Sequence, residues 1–311
     1  MSHILAVFGA TGVQGGSLIN YVLNDPELSQ KYQIRAISRD INSVKAVQLM
    51  NEVEVVQADV ADPVSIERAL TGVHTVFAMT VPSFTPNGLE VEFNHGKTIA
   101  NAAVRQGVKY LIFSTLPAVN EISGGKYRHV TPFDAKAKID QYIRSLPIKS
   151  AFVSFAFFMQ NLHTQSFLGP VPGPDGTWVL ARPVPPTCRI PYIDAVANVG
   201  NVVGSILAEP GKYEGKTFCA AERLYSLEEI VALLSRSSGK TVVYKQVTLE
   251  EFKNSIPFAP DLFADGFGFS EEFGGYWGPN SEKSVAWAVE NTRGRLRTLE
   301  EYLEANPIQL S

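Results

Sequence analysis

The sequence predicts an α/β fold in which a doubly wound parallel sheet is joined to a smaller α+β C-terminal domain. Three observations predict it. Short β-branched runs alternate with longer amphipathic stretches from Ile4 to Phe158, a glycine-rich turn follows the first of these runs, and Gly and Pro punctuation takes over from Leu168 to Pro191.

Taken in order, Ile4–Phe8 is a strand, Ser17–Leu23 a helix, Ile34–Ile37 a strand, Val44–Met50 a helix and Val53–Val56 a strand. Val64–Leu70 continues as a helix, Thr75–Ala78 as a strand, Glu90–Gln106 as a long helix and Tyr110–Ser114 as a strand apolar on both faces. The helix Pro132–Ser145 carries start signals: Thr131 as N-cap, Pro132 at the first position and Asp134 in the first turn. Ala151–Phe158 reads as a sixth strand. Beyond it, Asp175-Gly176 signals a turn, Ala195–Leu207 and Ser226–Ser235 are helices, and Thr217–Ala220 and Val242–Gln246 are strands of a smaller lobe. Thr298 and Glu301 form a capping box at the last helix. The expected division is 1–155 for the wound domain, with later strands returning near 188–220, and 156–311 for a discontinuous substrate- or partner-binding domain.

Composition narrows the function. With 45% hydrophobic and 19% charged residues the chain can bury a sizeable core, and 31 acidic against 27 basic residues provide no field to draw it to nucleic acid or anionic membranes. Only Cys188 and Cys219 occur, so neither a disulfide framework nor a thiolate metal site is expected, and the five histidines lack metal spacing. No signal-peptide core or bilayer-length apolar run is present, so the expected location is cytoplasmic, with nuclear entry open.

The strongest chemical signal is Gly9-Ala10-Thr11-Gly12-Val13-Gln14-Gly15-Gly16, between the first strand and first helix. A pyrophosphate rests on bare backbone amides at a helix N-terminus, so Gly9 and Gly12 suit the turn and the approach point. Gly15 lets helix and strand pack closely, and Thr11 or Gln14 can add side-chain hydrogen bonds. The fold is therefore expected to be Rossmann-type, binding a dinucleotide; the alternative is an ordinary Gly-rich βα turn. After the second strand the chain reads Ser38-Arg39-Asp40 where an NAD site would place a ribose-binding carboxylate. Arg39 suits a 2′-phosphate, with Ser38, Ser43 and Lys45 near enough to help, so NADP(H) is favoured; Asp40 keeps NAD(H) open. Asp59 and Val60 fall at the adenine edge, unless Asp59 is only a cap.

These residues, with Gln57-Ala58-Asp59, Gly96-Lys97, Phe113-Ser114, Phe133-Asp134-Ala135-Lys136, Phe158-Met159-Gln160-Asn161-Leu162 and Ile190-Pro191-Tyr192-Ile193-Asp194, resemble the atypical short-chain dehydrogenase group and, within it, the NmrA-like proteins. The resemblance spans nearly the whole chain. It implies NADP or NAD in a cleft between two domains, with Thr80, Val81 and Pro82 at the ribose, Lys136 at the nicotinamide ribose and Phe158, Met159, Gln160 and Asn161 along the outer wall. The family includes redox sensors, fungal regulators that bind GATA-type zinc-finger factors, and related NADPH reductases.

One departure bears on activity. Typical short-chain dehydrogenases place a tyrosine four residues before the lysine, and here Pro132 stands there, with no proton to give. The first expectation is therefore a redox sensor or regulator acting through a partner such as a transcription factor. The alternative is an NADPH-dependent reductase of a small hydrophobic carbonyl or enone, with Lys136 as the proton donor. Lys136 could instead bind the ribose or pair with Asp140 one turn on. Ser114 could polarise a carbonyl, and Tyr127 or His129 could swing in. Six aromatics between Phe263 and Trp277, interspersed with glycines, suggest a lid, a docking groove or the small-lobe core. Arg293, Arg295 and Arg297 read as solvated charges.

Overall fold

The computed structural model describes residues 2–310. The first part runs β1 (His3–Phe8), α1 (Val13–Asn24), the single turn α2 (Leu28–Lys31), β2 (Tyr32–Ser38), α3 (Val44–Leu49), β3 (Glu54–Gln57), α4 (Pro63–Ala69), β4 (Thr75–Ala78), α5 (Gly88–Arg105) and β5 (Tyr110–Thr115). A short α6 (Val119–Ile122), α7 (Thr131–Arg144) and β6 (Lys149–Phe155) complete it. There follow β7 (Phe157–Phe158), α8 (Asn161–Thr164), β8 (Val171–Pro172), β9 (Trp178–Arg182), β10 (Arg189–Ile193), α9 (Ala195–Ala208), β11 (Thr217–Ala220) and β12 (Arg223–Ser226). The chain ends with α10 (Leu227–Ser238), β13 (Val242–Gln246), α11 (Leu249–Ser255), α12 (Pro260–Glu272), α13 (Ser281–Glu290) and α14 (Leu299–Ala305).

The central sheet has the order β11-β6-β5-β4-β1-β2-β3, parallel at every pairing. Helices cover both faces, which is why β4 and β5 are buried along their whole length and carry no polar alternation. On one face Leu18, Val22, Val199 and Val203 of α1 and α9 pack on the sheet; on the other, Ile66, Ile99 and Ile139 of α4, α5 and α7 do so. Strand order reverses between β1 and β4, and an open sheet of this kind leaves its crevice outside the C-terminal strand ends at such a point. Two small sheets, β12-β10-β7 and β13-β9-β8, enclose a separate core around Met159, Leu180, Tyr225 and Phe252.

The doubly wound parallel sheet is as the sequence predicts, with differences at its margins. The run Ala151–Phe158 is two strands: the chain leaves the central sheet at Ala156, and Phe157 and Phe158 pair with Tyr192 and Ile193 of β10. An unbroken apolar run offers no local sign of that crossing. Thr217–Ala220, at the end of the 188–220 stretch expected to return to the wound domain, is the edge strand of the central sheet. Helix α7 begins one residue earlier than expected, so Val130 is the N-cap and Thr131 makes no side-chain cap. Gly266 and Gly268 lie inside α12, so the aromatic segment is helical there and not a hinged loop. The capping boxes at Ser226–Glu229 and Thr298–Glu301 form, and Asp175-Gly176 turns with φ of 61° and 73°.

Candidate functional site

The loops after β1, β2, β3 and β4 line an open cleft of about 700 Å³ along the C-terminal sheet edge. Gly9, Thr11, Gly12, Val13 and Gln14 form its floor, Ser38, Arg39, Ser43 and Val60 one end, and Thr80, Val81, Pro82 and Phe158 the other. Gly9 turns at φ 65°, and Gly12 precedes α1 without any side-chain cap, leaving the first helical N–H groups free for an anion. Gly15 lies behind the loop: a Cβ there would stand 2.4 Å from Gly9 O and 2.7 Å from the Cα of the buried Ala10. No side chain fits, so this approach of helix to strand requires glycine. Gln14 Oε1 is buried in the cleft wall with no donor, a group that a bound polar ligand would satisfy.

At the far end Arg39 is exposed and forms no ion pair among the described residues. Ser38 and Ser43 hydroxyls both donate to Asp40 O, at 2.8 and 2.9 Å, so they buttress the loop and do not offer their protons to a phosphate. Asp40 Oδ1 accepts from Asn42 N–H at 2.9 Å, an Asx turn that engages the carboxylate within its own loop. Lys45 lies outside the cleft wall. Asp59 is likewise taken up by Ala61 N–H, while Asp62 caps α4, so the carboxylate expected at the adenine edge belongs to the turn and only Val60 lines the cleft.

Two residues expected on the outer wall lie elsewhere. Met159 is fully buried in the second core, and Gln160 bridges Asp194 Oδ1 at 2.7 Å and Ala195 N–H at 3.1 Å to hold the start of α9. Phe158 and Asn161 do reach the site. They help bound an inner chamber of about 310 Å³ that shares Gln14, Pro82 and Phe158 with the cleft. Its walls are apolar, from Phe133, Phe155, Phe157, Phe263, Phe267 and Phe269, so these aromatics of α12 line a cavity and do not close it. Its polar groups include Ser114 at the end of β5, Lys136, Gln165 and the phenol of Tyr276, which burial keeps protonated.

Lys136 does not pair with Asp140, which takes Arg144 instead. Its partner is Glu92 on α5, an ion pair in which the two side chains are 8% and 1% exposed. Thr80 Oγ1 also donates to Glu92 Oε1, at 2.6 Å, tying the β4 loop to the pair. The helices meet this closely because of Gly96, where a Cβ would be 2.6 Å from Ile139 Cδ1. Burial pulls the Lys136 ammonium below its ordinary pKa and Glu92 opposes that pull, in a side chain that lines the chamber wall. Glu92 and Gln165 are site residues that sequence reading missed.

The remaining candidates are engaged elsewhere. Tyr127 Oη donates to Glu272, and His129 Nδ1 meets Asp265 Oδ2 at 2.8 Å, both outside the chamber wall. Arg293 pairs with Asp25 and Glu27, Arg295 with Glu301, and Arg297 with Asp194, so the three charges are fastened to carboxylates and are not simply solvated. Among the described residues there is no His, Cys, Asp and Glu cluster fit for a metal, and no helix long and apolar enough to cross a membrane.

Known proteins share this fold. An NmrA-like family domain-containing protein of Dictyostelium discoideum is 28% identical, with 98% of each chain covered. The NmrA-like family domain-containing oxidoreductase FrzB of Cladobotryum sp is 30% identical over 94% of this chain and 91% of its own. The solved structure of NmrA, a negative transcriptional regulator in complex with NADP, superposes with a TM-score of 0.79 at 24% identity, covering 98% of this chain and 95% of that one. The model of the NmrA-like family matches residues 1–303, and the chain belongs to that family.

Proposed function

We propose that this protein is an NAD(P)H-dependent reductase of small hydrophobic carbonyl or enone compounds. The observation that carries the reading is the apolar chamber, which opens from the end of the cleft and has a buried lysine in its wall. The free amides of α1, the Gly15 approach and the unsatisfied Gln14 Oε1 fit a nicotinamide dinucleotide, and the NADP bound by the NmrA relative supports the same cofactor. Arg39, unpaired at the adenine end while Asp40 is engaged in its own turn, supports preference for the 2′-phosphorylated form.

Carbonyl reduction takes one hydride, which the reduced nicotinamide supplies when bound, and one proton, which this chain holds on Lys136 Nζ. Glu92 stabilises the ammonium before transfer, and Thr80 holds Glu92 in place. Ser114, on the same wall, can hydrogen-bond the substrate oxygen. The phenylalanine walls exclude water, which strengthens each of these polar contacts. A regulator that acts through a protein partner, the first expectation from Pro132, keeps the support of the NmrA relative but leaves the chamber without a use.

The test is calorimetric titration with NADPH, NADP, NADH and NAD, for wild type and Arg39→Ala, followed by NADPH oxidation against a panel of aldehydes, enones and quinones. Phosphate-selective binding weakened by about tenfold or more in Arg39→Ala, with turnover lost in Lys136→Met, is the expected result. Absence of dinucleotide binding, or turnover undiminished in Lys136→Met, overturns it.

A further inference from the structure

Behind the chamber lies a side pocket of about 40 Å³ that shares Phe157, Asn161, Gln165, Ile190 and Phe267 with it. The two are neighbouring compartments of one cavity system. Its lining is mostly aliphatic, from residues such as Leu180, Leu227 and Ile230, yet it includes Arg182, the last residue of β9.

Arg182 is 8% exposed and has no carboxylate partner among the described residues. Nη1 donates to Ala181 O at 2.7 Å and Nη2 to Leu168 O, but Nε–H has no acceptor. The Phe267 ring, 5.2 Å from Cζ, provides a cation–π face. Burial brings the guanidinium down to about 10, so it is still charged at neutral pH. A buried cation with a free donor and no counter-charge is costly unless something else supplies the charge. In the same pocket Gln165 Oε1 also lacks a partner, and Tyr192 adds a phenol that burial keeps protonated. Rotating the Gln165 carboxamide about its last bond exchanges O for NH₂ and turns the unsatisfied acceptor into a third donor. Three donors around a pocket with room for one or two water-sized groups match a planar carboxylate and are too confined for a phosphate ester.

We propose that Arg182 is the anchor for a carboxylate at the distal end of the substrate, whose hydrophobic body fills the main chamber. The substrate class is then a hydrophobic carbonyl or enone compound that carries a carboxyl group. The assignment rests on the reductase reading of the chamber, but its test is a binding measurement that needs no turnover.

The probes are 2-naphthoate and its neutral isostere 2-naphthamide, titrated calorimetrically into the full chain with and without NADP. The acid is expected to bind at least about tenfold more tightly than the amide, from one or two charge-assisted hydrogen bonds. In Arg182→Met that preference falls to near unity while amide affinity is retained. Equal affinity for the two probes in the wild type, binding of neither, or a preference that survives Arg182→Met overturns the assignment. Where that variant does not fold, equal wild-type affinity for the two probes still overturns the assignment, and so does an acid preference that is lost in Lys136→Met. An acid preference in a protein that reduces no carbonyl upholds the pocket and defeats the reductase reading; turnover of neutral carbonyls with no acid preference does the reverse.

Discussion

Replacing Glu92 by Gln removes a charge while keeping an oxygen that can accept from Thr80 Oγ1, so the substitution isolates the Lys136 cation and little else. With the lysine side chain 8% exposed, water cannot take over the lost carboxylate. Removing one member of a buried pair costs about 3–5 kcal/mol, and the lower end applies here because Lys136 can shed its proton. The sign of the pH dependence follows. Glu92 raises the folded pKa of Lys136 and burial lowers it; without Glu92 only the lowering remains, and the folded value drops further. The unfolded lysine titrates near the ordinary value of roughly 10.4, so above the variant's folded pKa the unfolded chain binds more protons, and stability rises with pH. The deficit of Glu92→Gln therefore shrinks as pH climbs toward 10.

Urea unfolding of wild type, Glu92→Gln, Lys136→Met and the double variant at pH 7 and 9.5 measures this. At pH 7 the single Glu92→Gln variant should lose about 3 kcal/mol, and the double variant, which buries no charge, should recover at least about 2 kcal/mol of it. A pH-independent loss, or a double variant that falls by the sum of the two singles, refutes the reasoning. Either result would mean that Lys136 is hydrated or otherwise paired in solution.

Two further outcomes are expected. Gly15→Ala places a methyl 2.4 Å from Gly9 O, so the α1 N-terminus must shift; a stability loss of about 1–3 kcal/mol and a dinucleotide affinity lowered by tenfold or more are expected in thermal melts and calorimetry, and unchanged values would contradict the close approach. Burial pushes the Asp134 carboxyl up to about 6 while its Oδ1 accepts from Asn120 N–H, so the folded chain holds a proton that the unfolded chain releases, and this residue makes stability fall as pH rises from about 4 to 6. Asp134→Asn keeps the acceptor and removes the titration, so urea midpoints of the variant should gain on wild type across that window; a constant difference would contradict the raised value.

Much of the fold is legible because its determinants are local. The alternation of Ile4–Phe8, Thr75–Ala78 and Tyr110–Thr115 with amphipathic stretches is written in neighbouring residues, as are the Thr298–Glu301 box and the glycine loop. The break at Ala156 is not, because Phe157 and Phe158 differ from Phe152 and Phe155 only in the strand they meet. Within the site, Gly9 to Gly15 and Arg39 are readable as chain-order features. Asp59, Asp40 and the two serines are ambiguous in the chain for a common reason: each has a short polar side chain that its own turn can engage. Arg182 carries no signal at all in sequence, since a lone arginine closing a strand normally lies at the surface.

The ion pair marks the boundary between what is local and what is tertiary. From the chain alone Lys136 has an obvious partner in Asp140, four residues on, and nothing near it competes. In the fold, α5 and α7 follow successive parallel strands on one face of the sheet and so run in the same direction. Gly96 is the notch that receives Ile139, and Glu92 and Lys136 sit one turn before each of them, which brings carboxylate and ammonium together in the same interface. The trace of this in the sequence is the four-residue step from Glu92 to Gly96, which puts both on one helix face. That step acquires meaning only once the partner helix is known, so a lysine that local spacing assigns to the surface becomes, through one glycine on another helix, a buried charge on the chamber wall.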